Sequence, residues 1–283
     1  MRERTCTAQS GMESTTLHTM ARRYLMSRNG KLHAEYDALP HADRSRFGSY
    51  SEEEKRIFPR YNVVAAILRE VERLDPDDLP PPARLAAALA AATSAHSVFT
   101  TDLDSIEAEA TAAERDLFRS SVKSWLAAKD LVVEPLPYRR VFSDEEVEGW
   151  RRRLADRWGT QRTMWHPLIT QDVPRDVLVV DSAAMWDGNG FELVREALQD
   201  VGLRRVVEIR EHGDPGCLLD LDEFTPAYTG AEGIWTDDTL DWIAYASHES
   251  TVAFGGTLAE RLRTSWPDVA DWTWTPWWDQ PAK

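Results

Sequence analysis

The sequence is poor in cysteine, with two residues, Cys6 and Cys217, among 283. Cys6 lies in a polar stretch that reads as a disordered leader over residues 1–14, with Met12 as an alternative start. No structural disulfide is therefore expected, and so few thiols suit a reducing compartment. Long apolar runs are missing too. The longest, LAAALAAA at 85–92, falls far short of the ~20 residues a membrane helix needs. MRERTCTAQSGMESTT has no apolar segment of the kind a secretory signal carries. The expectations are no membrane association and a cytoplasmic location. Lysine is scarce, 5 residues against 28 arginines, a usage that points to a GC-rich bacterial genome.

Positive charge is the next shortage. Lys and Arg number 33 against 48 Asp and Glu, a net charge of -15. The imbalance is local: residues 1–60 hold 11 basic and 8 acidic side chains, and residues 181–283 hold 7 and 20. A strongly negative C-terminal third repels nucleic acid and anionic lipid and attracts basic partners. The chain also has no GxGxxG and no Walker lysine, so nothing calls for a nucleotide or other cofactor.

What is present can build a core: 42% apolar residues and 12 tryptophans. The first half reads as helices. Leu17, Tyr24 and Leu25 recur at helical spacing, with Asn29-Gly30 as a stop. Ser51 and Glu54 form a capping box, and Val64, Ile67, Leu68, Val71 and Leu74 make one apolar stripe from Tyr61 onward. A helix is expected from the Pro80-Pro82 step to Ala92. Another is expected after the Asp104 cap, with Ile106, Ala110, Ala113, Leu117, Phe118 and Leu126 facing inward.

The character changes at Leu131, where LVVEPLPYRRVF reads as an extended connector. Ser143 and Glu146 cap a helix carrying Val147, Trp150, Leu154 and Trp158. Strands follow at 177–180, 205–209, 233–236, 241–246 and 251–254, with an edge strand over Asp271–Trp274. The helix at 191–201 lies between the first two, which predicts a parallel strand pair or a split version of one. The fold class is α+β: an all-helical region at 15–130, then a mixed β-sheet packed with helices at 131–283, ending in a Trp-rich segment.

Two clusters invite a chemical reading and lack the spacing for it. Asp214, Asp220, Asp222 and Glu223, with His212 and Cys217 nearby, do not follow a calcium-loop pattern and offer too few His or Cys for zinc. That stretch reads as an acidic loop with a Pro-Gly turn, and no metal is expected. Gly188 and Gly190 precede a helix in a loop superficially suited to phosphate, but Asp181 and Asp187 flank it. Arg139, Arg140 and Arg151–Arg153 spread around their elements instead of forming a basic patch.

The most suggestive stretch is DWIAYASHES at 241–250. Its alternation predicts a central strand, with Trp242, Ala244 and Ala246 on one face and Ile243 and Tyr245 on the other. Ser247, His248 and Glu249 cannot form a triad among themselves, since neighbours on a strand point to opposite faces. His248 matters only if a distant carboxylate meets it. Asp181, at the end of a buried strand, and Glu249 are the candidate partners. His-Glu is also a poor two-residue hairpin turn, so a longer turn or a bulge is expected.

Two functions follow. One is a protein-binding module that presents an acidic surface to a basic protein partner, with Trp235, Asp237, Asp238, Trp277 and Trp278 as contacts. In its general character (acidic, cysteine-poor, without catalytic motifs) the chain resembles the immunity proteins that bacteria keep beside secreted toxins. That resemblance rests on composition and the C-terminal half, and it implies an inhibitor that neutralises a basic toxin or effector. The other is a small-molecule hydrolase or transferase using His248 with Asp181 or Glu249 as an acid-base pair.

Overall fold

The computed structural model describes residues 13–40, 50–128, 131–161, 164–165, 174–211 and 215–274. The chain divides into two compact units, residues 1–136 and 137–283. Among the described residues no helix is long and apolar enough to cross a membrane.

The first unit packs α1 (Ser14–Asp37), α2 (Glu52–Glu72), α3 (Pro82–Ala92) and α4 (Ser105–Ala127). Leu17, Leu25, Leu32, Val64, Ile67, Val71, Leu85, Leu89, Phe118 and Val122 form its core. The Ser51–Glu54 capping box is formed, with the hydroxyl 3.1 Å from the Glu54 amide and the carboxylate 2.8 Å from the Ser51 amide.

Two expectations fail here for reasons of packing. α1 runs through Asn29-Gly30 without stopping. The Asn29 amide donates to the Tyr61 carbonyl at 3.0 Å, Leu32 is buried and His33 stacks on Tyr61, so contacts with α2 override the local stop signal. In α4 the buried stripe is Thr111, Glu114, Phe118 and Val122, while Leu117 and Leu126 are exposed. A glutamate faces inward there because Arg28 and Arg60 meet it, with their Nε atoms 3.0 and 2.8 Å from its oxygens.

The second unit is a seven-stranded sheet between two helical layers. Its strands are β1 (Arg139–Val141), β2 (Val177–Asp181), β3 (Arg205–Arg210), β4 (Cys217–Asp220), β5 (Gly233–Thr236), β6 (Trp242–Ser247) and β7 (Thr251–Gly256), in the order β1-β4-β3-β5-β6-β7-β2. Every pairing is antiparallel. The sheet is therefore antiparallel and not mixed as expected; the strand-helix-strand unit is present in its split form, with β2 and β3 running the same way and β5, β6 and β7 between them.

α6 (Ala183–Asp187), α7 (Gly190–Gln199) and α8 (Thr257–Ser265) cover one face, where Trp242, Ala244 and Ala246 point. α5 (Asp144–Trp158) covers the other, where Ile243 and Tyr245 point. Both faces of β6 are thus buried, as its alternation predicts. The stretch read as an acidic loop holds β4, and the connector holds β1. These two short strands pair with each other. At the opposite edge the expected strand over Asp271–Trp274 is instead a short helix, α9 (Val269–Trp272), followed by a single bridge from Thr273 to Val180.

Candidate binding site at the hairpin end of the sheet

Pairing of Ser247 with Thr251 leaves His248, Glu249 and Ser250 as the loop between β6 and β7. Ser250 has φ 59°, a left-handed residue closing a three-residue hairpin loop. The Ser247 hydroxyl lies 2.8 Å from that of Thr251 and accepts the Glu249 amide at 3.2 Å. The Ser250 carbonyl accepts the Ser182 amide at 2.8 Å, which ties the loop to the end of β2. Ser247 is thus a buried turn-former and not a nucleophile.

His248 does meet a distant carboxylate, and it is Glu232. This residue directly precedes β5 and is 2% exposed. One oxygen accepts the Tyr245 hydroxyl at 2.6 Å. The other accepts the His248 amide at 3.3 Å and the His248 ring nitrogen Nδ1 at 2.5 Å. The second ring nitrogen, Nε2, lies 3.2 Å from Glu249. The hydrogen bond to Glu232, followed by the charge of Glu249, raises the imidazole pKa above its ordinary value. Burial and the bond to Glu232 push the Tyr245 phenol up as well, so Tyr245 stays a neutral donor.

Glu232, His248 and Glu249 each bring a possible metal-ligand atom to one place. Their arrangement fits a proton better than a metal ion. The carboxylates contact different ring nitrogens, so each nitrogen already has a carboxylate oxygen beside it. Hydrogen bonds to Tyr245 and to the His248 backbone already occupy Glu232. When protonated, the ring is an imidazolium clamped between two carboxylates.

The other candidates stand outside the clamp. Asp181 ends β2 opposite Thr251, but its carboxylate accepts the Ala183 amide at 2.8 Å and takes no part in the clamp. Trp235 is 0% exposed. Its indole N–H donates to Glu208 at 2.8 Å beneath Arg210, so it is a core residue and offers no face to a partner. Asp237 accepts the amide and hydroxyl of Thr239 in a turn, and exposed Asp238 pairs with Arg153. Both lie at the far end of the sheet from His248. Trp277 and Trp278 fall outside the described residues. Gly188 and Gly190 serve packing and not phosphate: a Cβ at either would come within 3 Å of the Ala184 carbonyl.

The ends of β2 and β3, the starts of β5 and β7 and the loop of β6 all fall at one end of the sheet. That end gathers Asp181, Asp187, Glu211, Glu232 and Glu249. Trp186 is 65% exposed, and Tyr228, on the loop leading to Glu232, is also exposed. Arg210 is taken up by Glu208 and the carbonyls of Ala227 and Ala231. Sequence reasoning missed Glu232 and Tyr245 as partners. Only the β5–β6 register, Gly233 opposite Ala246, carries Glu232 to the turn. No family model matches the chain, and no curated protein or solved structure does.

Proposed function

We propose that the chain is a protein-binding module whose hairpin end receives a basic protein partner, in the manner of an immunity-type inhibitor of a basic toxin or effector in a bacterial cytoplasm. One observation carries this reading. Four carboxylates outside the core, Asp181, Asp187, Glu211 and Glu249, lie on the segments at that end around the buried Glu232, with exposed Trp186 following β2 and exposed Tyr228 preceding β5. Such a surface steers a basic partner by long-range attraction, and exposed Trp and Tyr supply the anchors that interfaces favour. The test is affinity capture from the host lysate at low and high salt, with wild type beside Asp181→Arg/Glu249→Arg. The expected result is a basic protein released by salt and bound at least about tenfold more weakly by the variant. An acidic partner, or capture indifferent to the reversal, would overturn the proposal.

A second reading, acid-base catalysis, is favoured by the 2.5 Å contact between Glu232 and His248. An imidazole needs such an orienting acid to act as a base. Against it, the His248 side chain is 61% exposed and both its nitrogens face carboxylates, which leaves no free lone pair while the clamp holds.

A further inference from the structure

Glu232 presents an uneven account of charge. It is a buried carboxylate, and among the described residues its one cationic partner is the side chain of His248, which stands mostly in solvent. An ion pair with a buried acid and an exposed base is asymmetric: the acid cannot leave, whereas the base can swing into water at small cost. Glu249 lies on the other side of the ring. Glu211, just beyond β3, adds negative charge, and its amide donates to the Glu232 carbonyl at 2.9 Å. From β6, Tyr245 supplies only a neutral hydroxyl. From β2 come the Asp181 carboxylate, which faces Ala183, and the Ser182 amide. Among the described residues, the charged groups that act on the imidazole are therefore acids.

We infer that the His248 imidazolium fills, in the free protein, the seat that a lysine or arginine of the partner takes in the complex, so that His248 competes internally with the partner's cation. The inference rests on the protein-binding reading and adds to it the position of a recognition pocket and its dependence on protons. When His248 loses its proton, Glu232 keeps the Tyr245 hydroxyl, the His248 amide and at most a neutral Nδ1–H donor, so it has no counter-charge, and the surface becomes more negative by one unit. A buried anion in that condition favours any cation that can reach it. An arginine suits the seat best, since its fork can span Glu232 and Glu249 together.

The consequence is a specific pH dependence. Below the raised pKa of His248, the fraction of protein with an open seat grows about tenfold per pH unit, and the apparent affinity for a cationic probe grows with it; above that pKa it levels off. An oligo-arginine peptide, fully charged throughout this range, serves as the probe. Its affinity is measured by calorimetry from about pH 6 to about pH 9 for wild type and His248→Asn, while NMR follows the His248 ring protons in the free protein and in the complex.

The expected result is binding by wild type that strengthens as His248 titrates and binding by His248→Asn that is flat with pH. Peptide addition should also lower the His248 pKa. If the peptide binds wild type with an affinity indifferent to pH while NMR shows His248 titrating in that range, the competition is overturned and the acidic-surface reading stands. Should neither protein bind the peptide at any pH, the protein-binding reading falls and the competition with it. Glu249→Gln, which leaves the buried residues untouched, gives a second arm. Weaker peptide binding with a lower His248 pKa is expected, and an unchanged pKa would contradict the clamp.

Discussion

In the helical unit Glu114 is buried against two arginines, and in the C-terminal unit Glu232 is buried against a tyrosine and a histidine. Burial alone pushes Glu114 up, but the hydrogen bonds from Arg28 and Arg60 prevail and hold it below the usual carboxylate range. Guanidinium groups do not titrate, so that arrangement is permanent. Glu232 depends on an exposed imidazole whose charge is conditional on one titrating proton. The histidines differ in the opposite sense. His18 is buried with Nε2 3.1 Å from the Val71 carbonyl, and burial lowers its pKa. His248 is exposed, and its carboxylates raise its pKa. The first unit fixes its buried charges, while the second leaves one buried charge conditional on a proton, at the surface proposed to meet a partner.

The largest effect should come from breaking the permanent arrangement. Replacing both arginines, Arg28→Met/Arg60→Met, strands a carboxylate whose side chain is 1% exposed. Loss of about 3–5 kcal/mol from the helical unit is expected, with each single variant costing distinctly less. Circular dichroism in urea, where helical signal dominates, measures it. A loss under about 1 kcal/mol would mean that water replaces the arginines and that Glu114 is not buried in solution.

A smaller effect separates the units by pH. His18 has a depressed folded pKa, so its contribution is present above about 6.5 and is lost as pH falls through that value toward the folded pKa, with a slope of at most about 1.4 kcal/mol per pH unit. His248 has a raised folded pKa, so its contribution is complete below about 6.5 and is lost as pH rises through the folded value. Exposure limits that contribution to about 1 kcal/mol or less. Of the 12 tryptophans only Trp125 lies in residues 1–136, so tryptophan fluorescence follows chiefly the C-terminal unit. The stability difference between wild type and His248→Asn, read by fluorescence, should shrink from about pH 6 to about pH 9. A constant difference would mean that the His248 proton is not linked to folding.

Much of this was legible in the sequence, and the limits have physical causes. The alternation of Trp242 to Ala246 sorted both faces of β6 correctly because a strand buried on both sides has a strict period of two. Ser51, Asp104 and Ser143 marked helix starts because capping is local chemistry. The inward face of α4 is only partly legible: Phe118 is buried as expected, but Glu114 becomes an interior residue only when Arg28 and Arg60, 86 and 54 positions away, meet it. β4 reads as loop because Asp214, Asp220, Asp222 and Glu223 crowd the stretch that contains it, although Cys217 and Leu219 alternate inward. His248 was identified and its partner was not, since Glu232 reaches it through strand register, which no local pattern encodes.

The smallest effect concerns how the loop itself is held. Ser250 adopts φ 59° without being glycine, a conformation that costs a residue with a Cβ on the order of 1 kcal/mol. Ser250→Gly should therefore raise the stability of the C-terminal unit by at most about 1 kcal/mol, since the greater freedom of glycine in the unfolded chain offsets part of the relief. The His248 pKa, followed by NMR, should not move. The clamp is built from side chains of Glu232 and Glu249 and from the Tyr245 hydroxyl, whereas Ser250 contributes its carbonyl to the Ser182 amide, which glycine retains. A shifted pKa in this variant would show that the backbone of the turn sets the imidazole geometry. The distinction between a permanently paired Glu114 and a conditionally paired Glu232 would then lie in loop conformation as much as in the chemistry of the cation.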